Sequence, residues 1–195
     1  MTERILIAGF GGQGVLFAGK FLTVMGMLQG KQVSWLPSYG PEMRGGTANC
    51  SVVIGDEPVS SPIVNEPDVL LTMNLPSLDK YENAVTENGW IFVNSSLVDR
   101  RVRRTDVRDV YVPATRLATE SGMEGLANMI LVGAMLARQN AYDEKMIRKT
   151  LKNLASGKRP ELHDTNLRAL RIGSCSQKNT RLIVMGGKRC AVHSD

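Results

Sequence analysis

The residues Gly9-Phe10-Gly11-Gly12-Gln13-Gly14 satisfy the spacing G-x-G-x-x-G directly after the apolar run Arg4-Ile5-Leu6-Ile7-Ala8 and directly before a segment of helical period. In that context the motif can carry chemistry. Glycines let the backbone approach a ligand closely, and a helix amino end offers unpaired N–H groups and a partial positive charge to a phosphate or another anion. A nicotinamide dinucleotide site adds an acid about 20 residues further on, at the end of the second strand, to hold the ribose. Here that place reads Val33-Ser34-Trp35-Leu36-Pro37, and the first acid is Glu42. The loop is therefore read as an anion or cofactor contact ahead of a dinucleotide site, with a ligand-free tight turn as the bland alternative.

A second stretch, Pro37-Ser38-Tyr39-Gly40-Pro41-Glu42-Met43-Arg44-Gly45-Gly46-Thr47, lies between two apolar segments. A plain connection needs only about 4 to 6 residues, so this one is over-specified. If it leaves its strand at Pro37, then Tyr39, Glu42 and Arg44 reach the rim at the carboxyl ends of the strands, where open parallel sheets collect ligands. The bland reading is a surface loop with a Glu42–Arg44 pair worth about 0 to 1 kcal/mol. Asn74, and the run Asn94-Ser95-Ser96, close two more candidate strands; for Asn74 and Asn94 the alternative is helix capping or turn formation. Arg100-Arg101-Val102-Arg103-Arg104 is the densest positive run and reads as a solvated strand face before it reads as a docking site for an acidic partner. His163 and His193 are the only histidines and stand far apart, and Ser95 and Ser96 lack a G-x-S-x-G elbow, so no nucleophile–base constellation emerges.

These residues need a scaffold, and the hydrophobic pattern supplies one. Residues 4–8 form a short continuous apolar run of the kind buried on both faces of a parallel sheet. Val15, Ala18, Leu22, Met25 and Leu28 then recur at helical spacing before Gly30. Further strands are predicted over 32–36, 48–54, 68–73, 90–93 and 110–113. Helices are predicted over 76–85, over 125–139, which is apolar almost all round, over 143–155 with Asp143 as its cap, and from Pro160 to Arg171 with Gly173 closing it. The alternation implies an α/β fold: three layers, a mostly parallel open sheet with helices on both faces, and a helical C-terminal third. One domain is expected over 1–173, and 174–195 reads as a partly ordered basic tail.

With 195 residues, 43% hydrophobic and 22% charged, the chain is ordinary for a globular protein, and no apolar run reaches membrane-span length. Met1-Thr2-Glu3-Arg4 leads straight into a strand, so a cytoplasmic protein without a signal peptide is expected. Cys50, Cys175 and Cys190 show no C-x-x-C spacing, which argues against a zinc or iron–sulfur site held by this chain alone. Of the net charge of +5, Ser174–Asp195 carries four cations against one acid. With aromatics at 5%, nucleic-acid binding is not expected.

The glycine loop, PSYGPEMRGGTANCSV, the SSPIV segment at 60–64, EPDVLLTMNLPSLDKY at 66–81 and the helix holding Asn128-Met129 together resemble the gamma subunit of 2-oxoacid:ferredoxin oxidoreductases, a module that also forms one domain of single-chain pyruvate:ferredoxin oxidoreductase. The similarity runs from about Arg4 to Gly173. It implies a multi-subunit enzyme that oxidatively decarboxylates a 2-oxoacid, joins the acyl group to coenzyme A and reduces ferredoxin. On that resemblance thiamine diphosphate, Mg2+ and iron–sulfur clusters belong to alpha, beta and ferredoxin-like delta siblings, and this chain binds no cofactor alone and has no catalytic residue of its own. Gly9, Gly11, Gly12, Gln13, Gly14, Tyr39, Glu42, Arg44 and Asn74 would line a shared substrate or coenzyme A site. The wording of the motif is closer to the 2-oxoglutarate or branched-chain types than to the pyruvate type, with 2-oxoglutarate favoured. A stand-alone NAD-dependent oxidoreductase stays open as an alternative, as does pairing of the isolated chain with a second copy.

Overall fold

The computed structural model describes residues 2–40, 46–154 and 160–182, with residues 160–162 and 178–182 described as helix without side-chain detail. Six strands form one sheet: β1 (Glu3–Phe10), β2 (Gln32–Tyr39), β3 (Thr47–Gly55), β4 (Val69–Thr72), β5 (Trp90–Asn94) and β6 (Arg108–Val112). Their spatial order is β2-β3-β1-β4-β5-β6. β1, β4, β5 and β6 run parallel, and β3 is antiparallel to both β1 and β2, so it alone opposes the common direction. The expected mostly parallel α/β sheet is present, and the hairpin strand β3 is what makes it mixed.

The central strands are short apolar runs because both of their faces are covered. On one face Ile5, Ile7, Val52, Leu71, Phe92 and Val112 meet the helices α1 (Val15–Leu28) and α4 (Ala127–Arg138). On the other, Leu6, Val53, Leu70, Ile91 and Val93 meet Leu78 of α2 (Leu75–Tyr81), Val85 and the loop residues Val64 and Val98. The second layer is thin; most of the helical mass sits on the first face. There α4 is buried from Ala127 to Leu136, as its uniformly apolar sequence requires, because it lies between the sheet and α6 (Pro160–Leu182).

Two elements depart from the sequence reading. A short helix α3 (Ala114–Glu120) follows β6, where none was expected; it occupies only seven residues, too few for a periodic signal. The last helix continues through Gly173 to Leu182 instead of ending there. Gly173 is not a terminator but a point of contact: a Cβ added there would lie 1.9 Å from the Ile130 carbonyl oxygen, and one added at Gly133 would lie 2.1 Å from the Leu170 carbonyl oxygen. The two glycines let α4 and α6 approach backbone to backbone. Beyond this crossing Ser174 and Gln177 are buried, and Arg138 donates to Gln177 at 2.9 Å, so the helix has a reason to persist. The basic residues from 183 onward lie outside the described residues. In contrast, α5 (Glu144–Leu154) starts as read: Asp143 Oδ1 accepts from the Lys145 N–H at 2.9 Å.

A substitution Gly173→Ala tests the crossing. In an ordinary helix interior alanine gains roughly 0.5–1 kcal/mol over glycine; here overpacking against backbone is expected to reverse the sign and cost about 1–3 kcal/mol, read as a lower urea midpoint at unchanged slope. The cysteines give a second check. Cys50 is buried, and loss of solvation pushes its thiol up to about 12, whereas Cys175 is exposed. Since the thiolate is the nucleophile, iodoacetamide at pH 8 is expected to label Cys175 and spare Cys50 in the native chain, as peptide mass mapping would show.

Candidate functional site

The turn from β1 to α1 is held from four directions. Gly12 and Gly14 have φ of 97° and 74°, in the left-handed region that favours glycine. Gln13 folds its side chain back so that its Oε1 accepts from the Phe10 N–H at 2.7 Å and from Asn74 Nδ2 at 3.0 Å. The Gly11 N–H donates to the Gly46 carbonyl at 2.8 Å and the Gln13 N–H to the Phe10 carbonyl at 3.1 Å. Asn128 Nδ2 donates to the Gly14 carbonyl at 2.9 Å, with its amide so near that a Cβ on Gly14 would lie 2.5 Å away. Gly9 has a packing role: a Cβ there would meet Gln13 and Met73 at 2.7 and 2.8 Å.

Several of the groups expected to face a ligand are thus engaged inside the protein. The amides of Phe10, Gly11 and Gln13 are bonded, and so is the side-chain Oε1 of Gln13. Asn74 is buried; its Oδ1 accepts from the Ser77 N–H at 3.0 Å and caps α2, while its Nδ2 reaches Gln13. The capping alternative describes its Oδ1, and the bridge to the glycine turn is a second role. Asn94 braces the next strand end, donating to the Met73 carbonyl and to Thr115 Oγ1 at 3.3 and 2.8 Å.

The second stretch begins and ends at this same end of the sheet. Phe10 pairs with Thr47, and Tyr39 pairs with Ala48, so the close of β2, the start of β3 and the close of β1 lie side by side. Tyr39 is 59% exposed and stands two strands from the glycine turn, roughly 10 Å away at the usual strand spacing. Glu42 and Arg44 lie outside the described residues.

Beside the turn is a crevice of about 270 Å³ lined by Gly12, Gln13, Met73, Leu97, Thr115, Thr119 and Glu124, among others. It sits at the switch point of the sheet, where the chain leaves β1 toward α1 on one face and leaves β4 toward α2 on the other, the place where open α/β sheets bind ligands. Thr115 and Thr119 were missed in the sequence because α3 was, and Glu124 lies in the loop that follows it; Ala114, Leu117 and Ala118 after Pro113 were the signal, a short one. The described lining holds no lysine or arginine, so this crevice favours hydrogen-bonded, uncharged groups over a phosphate.

The dinucleotide alternative fails on topology. In that fold the acid sits on the strand adjacent to β1; here β3, running the other way, separates β2 from β1. The arginine run is not a strand face. It lies in the loop before β6, where Arg100 donates to Glu82 and to Asp79 at 2.9 Å each, Arg104 binds the carbonyls of Glu82 and Val85, and Arg101 stacks over Tyr111. Glu82 is buried, so Arg100 neutralises an interior carboxylate. Among the described residues no three His, Cys, Asp or Glu side chains group as metal ligands, and no helix is long and apolar enough to cross a membrane.

An open α/β sheet with a braced glycine turn at its switch point, and with β3 set between β1 and β2, defines an α/β module distinct from the dinucleotide-binding fold. The chain belongs to the pyruvate ferredoxin/flavodoxin oxidoreductase family, whose model matches residues 4–175. It is 41% identical over 172 residues to the ketoisovalerate oxidoreductase subunit VorA of Methanothermobacter marburgensis, covering 88% of this chain and 36% of that protein. It is 34% identical over 154 residues to the 2-oxoglutarate synthase subunit KorC of Methanocaldococcus jannaschii, covering 77% and 82%. The crystal structure of the keto/oxoacid ferredoxin oxidoreductase gamma subunit from Geobacter sulfurreducens matches with a TM-score of 0.74 at 26% identity, covering 91% of this chain and 99% of that one. The chain spans about a third of the length of the VorA relatives it matches.

Arg100→Ala is expected to destabilise the chain by about 3 kcal/mol or more, the usual consequence of leaving a buried charge without its partner. Arg103→Ala, in an exposed position of the same run, is expected to stay within about 0.5 kcal/mol. Chemical denaturation of both variants measures the contrast; equal effects would return the run to a solvated surface.

Proposed function

We propose that this chain is the gamma component of a multi-subunit 2-oxoacid:ferredoxin oxidoreductase. The assembled enzyme would cleave the carboxylate of a 2-oxoacid as CO2, join the acyl group to the sulfur of coenzyme A, and pass the two electrons released to two ferredoxins. The observation that carries this reading is the hydrogen bond from Gly11 N–H to the Gly46 carbonyl. It ties the glycine turn to the far end of the PSYGPEMRGGT stretch, so the two motifs of the resemblance form one edge. This chain's part is structural: a rigid wall, with Gly12, Tyr39 and the crevice residues facing a shared chamber. Glu42 and Arg44, on the motif resemblance, complete that wall, Arg44 pairing with a substrate carboxylate or phosphate and Glu42 orienting it.

Thiamine diphosphate with its Mg2+ would supply the carbanion chemistry and iron–sulfur clusters the electron path, both from alpha, beta and delta subunits; in support, no three His, Cys, Asp or Glu side chains group as metal ligands among the described residues of this chain. Coenzyme A fits the exposed rim better than the crevice, whose described lining lacks a cation. The edge strand β2 presents Trp35, Leu36 and Tyr39 to the outside and supports a sibling contact there. The acid is read as 2-oxoglutarate, because the KorC subunit of Methanothermobacter marburgensis matches end to end, 97% of this chain against 100% of that one. Ketoisovalerate is the second reading, favoured by the 41% identity to VorA. The expected compartment is the cytoplasm.

A tagged chain expressed with its siblings is expected to recover a thiamine-binding subunit and a ferredoxin-like subunit, and the complex to reduce viologen dye with 2-oxoglutarate and coenzyme A faster than with ketoisovalerate. The chain alone should show no turnover. Turnover by the isolated chain, or purification without larger partners, removes the proposal. Arg44→Ala is expected to lower kcat/KM of the assembled enzyme about 10- to 100-fold, the value of a charge-assisted hydrogen bond, without change in the melting temperature of the chain. Full activity in that variant leaves Arg44 no part in the site.

A further inference from the structure

A second cleft, of about 480 Å³, opens at the opposite end of the sheet from the glycine turn. β5 runs parallel to β1 through β4, so Trp90 at its start lies where β1 enters the sheet and not where it leaves. The cleft extends from Trp90 to the carboxyl end of α4, at Arg138 and Asn140, and to Ser174 and Gln177 of α6. Its volume is that of small-molecule sites.

Arg138 is the informative residue. Half-buried, it is held by a relay: Ser176 Oγ donates to the Gly173 carbonyl at 2.7 Å, Gln177 Nε2 donates to Ser176 Oγ at 3.1 Å, and Gln177 Oε1 accepts from Arg138 Nε at 2.9 Å. Gln177 is 5% exposed, so an interior amide fixes the guanidinium, which on an open surface would be free to wander. That bond uses only the Nε. The two Nη groups make no hydrogen bond or ion pair among the described residues, and neither is closed to solvent.

The surroundings have the same sign. The Arg108 guanidinium stands 5.1 Å from the centre of the Trp90 ring. The stretch 178–194, which follows Gln177 in the chain, carries Lys178, Arg181, Lys188 and Arg189 and no acid. The acids at the start of α5 are already engaged: Asp143 caps the helix, and Glu144 pairs with Arg148 and Arg171. A fixed fork of N–H donors in a positive cleft selects a carboxylate or a phosphate.

We propose that this cleft binds a small organic anion, with its carboxylate or phosphate head on the Nη groups of Arg138 and its body against Trp90. Ser174 and Asn140 add a hydroxyl and an amide to the lining for the remaining polar atoms of the head. Tyr142 contributes its ring alone, because its hydroxyl is closed off. An occupant would bridge α4 and α6 at the far end of the helix whose amino end holds Gly14. The site lies apart from the chamber of the 2-oxoacid reading and does not depend on it.

The test uses the full chain carrying Trp35→Phe, which leaves Trp90 as its one tryptophan. Its fluorescence is followed during titration with 3-phenylpropanoate, with 2-phenylethyl phosphate and with the uncharged 3-phenylpropanamide. At least one of the two anions is expected to give a saturable change, and the tighter of them identifies the head group. The amide is expected to bind about 10- to 100-fold more weakly, the worth of a hydrogen bond to a charged group. Arg138→Gln should weaken the anion by a similar factor and leave the amide unchanged. Ala137→Phe, at a half-buried position of the lining, should weaken every probe by filling the cleft, and it serves as the working variant if Arg138→Gln does not fold. No saturable change with either anion, equal affinity for the amide, or anion binding that persists undiminished in these variants, as diffuse attraction to a chain of net charge +5 would, overturns the proposal.

Discussion

One glutamine oxygen joins the two halves of the sheet at the end that matters. Gln13 Oε1 takes the Phe10 amide of its own turn and the Asn74 side chain, 61 residues away, at the head of α2. The first bond closes the turn, and the second fixes it to the end of β4. Since β1 and β4 send their helices to opposite faces, this is where the sheet would otherwise part into a crevice with mobile lips. Gly12 and Gly14 supply the left-handed backbone that makes the fold-back possible, and Asn128 holds the turn from the helical side. The glycine motif here is less a bare cradle for an anion than a braced corner.

That corner is rigid because the layer behind it is. α4 is apolar on every side, and it can be buried on every side only if another helix comes within backbone distance. Gly133 and Gly173 permit that approach, and the length of α6 beyond Gly173 follows from it. The amino end of α4 is thereby pressed against Gly14, so packing at the back of the molecule sets the position of the loop at its rim. Arg100 and Arg104 perform a related task on the thin face, fastening the loop before β6 to the residues that follow α2. A run of five that looks like a docking patch in one dimension has Arg100 and Arg104 half-buried and engaged by acids and carbonyls of this chain, while Arg101 and Arg103 stay exposed.

The reading of the fold from sequence succeeded where a local rule was sufficient. Continuous apolar runs identified β1, β4 and β5, the 3.6 period found α1, and Asp143 announced α5. It failed where the deciding contact was remote. Gly173 looks like a helix terminator from its neighbours, and only Ile130 shows that it is a crossing point. α3 is too short to declare a period, so Thr115 and Thr119 stayed hidden. Asn74 and Asn94 were recognised as strand-end residues, but which partner each would choose depended on what the fold brought near.

By itself, the sequence determined the kinds of elements, their order, and the family motifs, because these rest on side-chain periodicity, on backbone freedom and on residues adjacent in the chain. The tertiary structure alone decided that β3 enters the sheet beside β1 and separates it from β2, that Gln13 turns inward, and that Asn128 meets Gly14 across 114 residues. The physical reason is range: a hydrogen bond or a close backbone approach is selected by whatever the packed core places within about 3 Å, and no pattern within a dozen residues encodes that.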